Sequence, residues 1–108
     1  MRQGMYAIFD STAEVHGRPM FLVNDATAIR GFVNALVNPQ SEFYQNPADF
    51  NLFKIGEYDD IEGAFVEDGK YNLGNGLQLL AAHKEELEKV QRLQKEIQDL
   101  SPNSSEAH

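Results

Sequence analysis

The sequence predicts an α+β fold: a small antiparallel sheet of about four strands packed by one helix, with a protruding C-terminal amphipathic helix. Three observations carry that prediction. Short apolar runs that stop at turn residues recur between Met5 and Leu73. One stretch, Asp25 to Val37, shows helical rather than alternating periodicity. After Gly74-Asn75-Gly76 the composition shifts to Leu, Glu, Lys and Gln, with no Gly or Pro before Leu100.

Met5 to Asp10 is apolar and aromatic and stops at Asp10-Ser11-Thr12, which predicts a buried strand ending in a turn. Ser11 to Arg18 is polar. Pro19 to Val23 is a second apolar run, and a Pro at strand entry costs little because its missing N–H lies at the end of the ladder. Asn24 or Asp25 then stands where a side chain can cap a helix. Ile29, Phe32, Val33, Leu36 and Val37 build one apolar stripe behind that cap, leaving Arg30 and Asn34 outward. The helix should stop by Asn38, since Pro39 disfavours helical geometry in the residue before it.

Pro39 to Asp49 reads as an ordered surface loop anchored by Phe43-Tyr44. Phe50 to Tyr58 follows as a strand, with Phe53 and Ile55 expected on one face and Leu52 and Tyr58 on the other. Asp59 to Gly63 makes a turn, Ala64 to Glu67 returns as a strand, and Asp68-Gly69 predicts a tight second hairpin into Lys70 to Leu73. Gly74-Asn75-Gly76 reads as a hinge before the last helix.

Along that helix Leu80, Leu87, Val90, Leu93, Ile97 and Leu100 recur every three or four residues, and Glu85/Lys89 and Glu88/Arg92 pair one turn apart. The seam Leu80, His83, Leu87, Val90, Gln94, Ile97 follows heptad spacing. So regular a ridge needs a partner surface, either its own domain or a second copy, and homo-oligomerisation through these residues is the expectation. The organisation read from the chain is a globular domain over 1–75, an oligomerisation helix over 76–100 and a flexible tail over 101–108.

The 108 residues suffice for one core and not for two independent domains. Cysteine is absent, so neither disulfides nor thiolate metal sites contribute. No apolar run is long enough to span a bilayer and the first residues lack a secretory pattern, so a soluble, intracellular protein with no membrane partner is expected. Net charge is −8; residues 1–75 hold five Lys or Arg against eleven Asp or Glu. Such a balance excludes a broad duplex-DNA face, which works by cations releasing counterions from many phosphates.

Asp59, Asp60 and Glu62 lack the further ligands of a calcium loop and read as turn residues. His16, His83 and His108 are scattered without zinc-ligand spacing. No catalytic residue, metal ligand or cofactor motif is therefore assigned, and the chain is expected not to be an enzyme. Single-stranded nucleic acid would need aromatic faces beside a few cations. The pattern is an exposed Tyr44, Tyr58 or Tyr71 beside Arg18, Arg30 or Lys54, with Tyr44 and Tyr58 the candidates chosen.

Order and spacing of several short motifs then resemble one family. They are Tyr6 to Asp10, Pro19 to Phe21, Asp25/Ala28/Arg30/Phe32, Asn38-Pro39, Phe43, Pro47, Asp49, Leu52 to Asp59 and Leu73-Gly74. Together they are similar to the nonstructural protein of gokushovirus-type microviruses, small single-stranded DNA phages. The resemblance implies a DNA-binding phage accessory protein of the host cytoplasm that helps switch the genome from duplex replication to single-strand synthesis and packaging into procapsids. It implies single-stranded or replicative-form phage DNA and a phage replication or procapsid protein as partners. Charge alone suggests an alternative, an acidic oligomeric protein–protein adaptor without direct DNA contact.

Overall fold

The computed structural model describes residues 1–67 and 69–100. The expected tail at 101–108, and Asp68 of the expected second hairpin, lie outside the described residues. The fold is α+β. A long strand β1 (Arg2–Asp10) leads to two short strands, β2 (Val15–His16) and β3 (Met20–Leu22). Helix α1 (Asp25–Leu36) and a 3-10 turn (Pro47–Asp49) then bring the chain to β4 (Phe50–Asp59), followed by β5 (Ala64–Val66), β6 (Tyr71–Asn75) and helix α2 (Gly76–Leu100).

All strand pairs are antiparallel. β1 and β4 pair along nearly their full length at the centre of the sheet. β2 and β3 both pair with β1, at its two ends, and β5 and β6 both pair with β4 in the same way. The six strands therefore make a sheet four positions wide, each edge shared by two collinear segments. This corrects the expected hairpin between residues 64–67 and 70–73: both segments continue down the same side of β4. Short interrupted edges of this kind offer little continuous template for pairing with another chain.

The core lies on one face of the sheet. Tyr6 and Leu52, fully buried on β1 and β4, meet Ala28, Phe32 and Leu36 of α1. Phe43 wedges edge-on between Phe32 (5.5 Å between centroids) and Phe50 (4.8 Å), each such pair adding roughly 0.5–1.5 kcal/mol beyond area burial. The helix begins where the sequence places it, because the Asn24 carboxamide oxygen accepts from the Thr27 N–H at 2.9 Å. Burial pushes the Tyr6 hydroxyl's pKa well up from its ordinary value, helped by the Asp25 carboxylate to which it donates at 2.6 Å. The bond ties β1 to the first turn of α1.

Gly74-Asn75-Gly76 is a tied junction. The Asn75 side chain donates to the Ala48 carbonyl at 2.8 Å, and its oxygen accepts from the Leu77 N–H at 3.0 Å, capping α2 with a residue that also grips the 3-10 turn. Gly76 is buried, and a Cβ there would overlap the Pro47 carbonyl oxygen and stand 3.0 Å from Leu36 Cδ2. Backbone cannot yield as a side-chain tip can. Gly76→Ala should therefore cost about 1–3 kcal/mol, a drop of about 5 °C or more in Tm for a domain of this size; an unchanged melting curve would refute the close approach.

Leu79 and Leu80 pack against the core, so the first turn of α2 belongs to the globule. From Ala81 to Leu100 every residue is exposed. The radius of gyration, 18.7 Å, exceeds the ~13 Å of a compact chain of this length because the helix projects into solvent.

Candidate nucleic-acid interface

Both helices cover the Tyr6/Leu52 face, which leaves the opposite face of the sheet open. A bulge determines what that face carries. Met5 pairs with Gly56 and Tyr6 with Lys54, so Ile55 has no partner and the side-chain alternation of β4 shifts by one. Without the bulge Tyr58 would share the face of Leu52; with it, Tyr58 joins Phe53 on the open face. The expected pairing of Leu52 with Tyr58 is thus corrected by one extra residue, and Ile55 belongs to neither alternation.

Two rows of rings result. In the first, Phe9 of β1 touches His16 of β2 at 4.7 Å and Phe53 of β4 edge-on at 6.3 Å. Lys70, just ahead of β6, holds its ammonium 4.5 Å from the Phe53 ring centre and 5.8 Å from that of Phe9. In the second, Tyr58 of β4 stands between Phe21 of β3 (5.7 Å) and Phe65 of β5 (5.6 Å). Met5, Ala7 and Gly56 separate the rows. Phe21 and Phe65 are 45% and 67% exposed, values far above those of core rings.

Charge is distributed to match. Among the described residues, no Asp or Glu occupies a ladder position on this face, where the polar residues are Gln3, Asn51, Asn72 and Asn75. Asp10, Glu57 and Asp59 occupy ladder positions of the helix-covered face instead. Asp59 serves the turn after β4: it accepts from the N–H groups of Ile61 and Glu62, and these bonds, the nearer amino terminus and Arg2 hold its carboxyl below the usual range. Asp60 pairs with the amino terminus at 2.6 Å.

The residues singled out from sequence do not gather in one place. Tyr58 is on the open face. Lys54 lies on the helix-covered face, opposite Tyr6, with its ammonium 3.5 Å from Glu57 and 3.8 Å from Asp25. Arg30 is exposed on α1, and Tyr44 is exposed in the loop after it. Arg18 borders a separate pocket of about 380 Å3 floored by Ile8, Met20, Phe43 and Phe50, with Asp10 and Glu42 on its rim. Phe9, Phe21, Phe53, Phe65, His16 and Lys70 supply what the candidate list lacked.

Along α2, Leu80 is partly buried in the core, whereas Leu87, Val90, Leu93, Ile97 and Leu100 are uncovered. No described helix is long and apolar enough to cross a membrane. Among the described residues no group of three His, Asp or Glu is placed to hold a metal ion.

A family model described as Phage ORF5 protein matches residues 3–79, a span that takes in all of the sheet but Arg2, together with α1 and the first turn of α2. No curated protein and no solved structure matches the chain.

Proposed function

We propose that this chain, which belongs to the Phage ORF5 protein family, is a phage accessory protein that binds single-stranded DNA along the open aromatic face of its sheet and performs no catalysis. The observation that carries the reading is that face: two rows of rings without a helix above them and, among the described residues, without an acid on the ladder, in a chain of net charge −8. Stacking is worth about 1–3 kcal/mol per base and requires unpaired bases. Duplex DNA hides its bases and is held mainly through phosphates, against which residues 1–75 set only five Lys or Arg, two of them, Arg2 and Lys54, already paired with carboxylates. The surface therefore selects single strands by the nature of its contacts.

That selectivity suits the finer role drawn from the microvirus resemblance: engaging the replicating phage genome in the host cytoplasm as it passes from duplex replication to single-strand synthesis and packaging into procapsids. Self-association through α2 completes the reading, because linked copies raise the effective concentration of individually weak sites. Phage replication or procapsid proteins are the protein partners of this role.

A titration of single-stranded oligonucleotide at several salt concentrations tests it. Each phosphate contact contributes about −0.7 to the log–log salt slope on single strands. With Lys70 the cation set among the rings, the expected slope is shallow, about −0.7 per protomer, and binding persists at high salt. Absence of single-strand binding at low salt would favour the acidic adaptor, a reading supported by the neutralisation of Lys54 by Asp25 and Glu57.

A further inference from the structure

Building on the proposed self-association, we infer that α2 pairs antiparallel with α2 of a second copy, the C-terminal half of each helix lying against the groove at the base of the other. That groove, about 630 Å3, opens between the end of α1 and the start of the exposed helix. Val37, Leu77, Leu80, Ala81 and Leu87 give it a mainly apolar lining, with His83 and Lys84 also bordering it. Val37 and Leu77 are about half exposed, at 46% and 54%. Nothing within the described chain covers it, and the ridge Leu87, Val90, Ile97 continues from it along the helix.

The occupant follows from the pattern of the seam. When two copies run in opposite directions with Leu87 facing Val90 of the partner subunit, His83 faces Gln94 of the partner subunit and Leu80 faces Ile97 of the partner subunit. Apolar residues then meet apolar ones and the two polar residues meet each other, at every level and for both copies, as an isologous two-fold interface requires. Ile97 of the partner subunit comes to the Leu80 level, at the groove. A parallel pair would instead stack His83 on its own copy and bring together two globular domains that each carry −6 over residues 1–75. The antiparallel pair sets the domains at opposite ends of an overlap of about 26 Å between Leu80 and Ile97. That separation exceeds the Debye length of about 8 Å at physiological salt.

The chain contains no cysteine, so introduced thiols report orientation cleanly. His83 and Gln94 are exposed, and His83→Cys and Gln94→Cys leave the core untouched. Full-length variants are oxidised separately and as an equimolar mixture, alongside light scattering of the unmodified protein. Dimer mass, with a covalent dimer formed in the mixture and by neither variant alone, is the expected result. Cross-linking of each variant with itself would overturn the antiparallel arrangement while leaving self-association standing. Dimer mass without cross-links in any sample would place the contact elsewhere than this seam, and monomer mass would overturn both the arrangement and the assembly it rests on.

Discussion

Replacing Phe53 by Ala is expected to weaken single-stranded DNA binding by about 10- to 100-fold, the worth of one lost base stack. Phe21→Ala, in the other row, is expected to do the same. Phe53 is the more informative position because it contacts both Phe9 and His16 and carries the Lys70 ammonium over its ring. Its loss removes a stacking face and frees the one cation positioned among the rings. Phe53→Tyr should retain binding, since the ring remains. Phe21, already 45% exposed, can be truncated with little effect on folding, so a fall in affinity with an unchanged melting temperature isolates the surface role. Undiminished affinity in both Ala variants, measured by anisotropy with a short oligonucleotide, would show that the face does not contact DNA.

The parts of the fold that sequence periodicity reveals are those built from local rules. The stripe from Ile29 to Leu36 and the cap at Asn24 depend on residues within a few positions of one another, and the structure has both. The open face depends on long-range register. Alternation along β4 assigns Tyr58 to the face of Leu52, and only the pairing with β1 shows that Ile55 drops out and moves Tyr58 to the other face. Nor does any local signal separate the two ways a strand can follow β5. A Gly after an Asp suggests a turn-back, whereas the chain continues along β4 because that ten-residue strand still offers partners beyond the three residues used by β5.

Lys54 shows the limit for charges. It is a cation among aromatic neighbours in sequence, yet two carboxylates claim it in space, one from α1 and one three residues along its own strand. Lys70 has only Tyr71 as an aromatic neighbour in sequence, yet it stands over the rings of Phe53 and Phe9 in space. For α2 the ridge was legible, but the sequence left open whether its own domain covers it. The structure divides the answer: Leu79 and Leu80 are taken up by the core and the residues beyond them are not.

That division sets up the second large effect. Most helical stability in proteins comes from packing of an amphipathic face rather than from propensity, and the part of α2 beyond Leu80, exposed along its length, has no such packing within its own chain. Its helicity should consequently depend on the partner copy. Leu87→Glu combined with Val90→Glu puts two carboxylates into the centre of the seam, where burying each without a partner is far costlier than the lost apolar contact. Light scattering should report a monomer. Far-UV circular dichroism should fall by an amount corresponding to fraying of the C-terminal half of α2, while the globule, to which Leu87 and Val90 contribute nothing, keeps its melting temperature. Apparent affinity for long single strands should drop by about 100-fold, the lower end of what linking two sites provides, whereas affinity for an oligonucleotide short enough to occupy one sheet should not change. The pair of lengths separates the two roles: equal losses on both would mean the substitutions damaged the binding face itself, and no loss on either would mean that α2 takes no part in holding DNA.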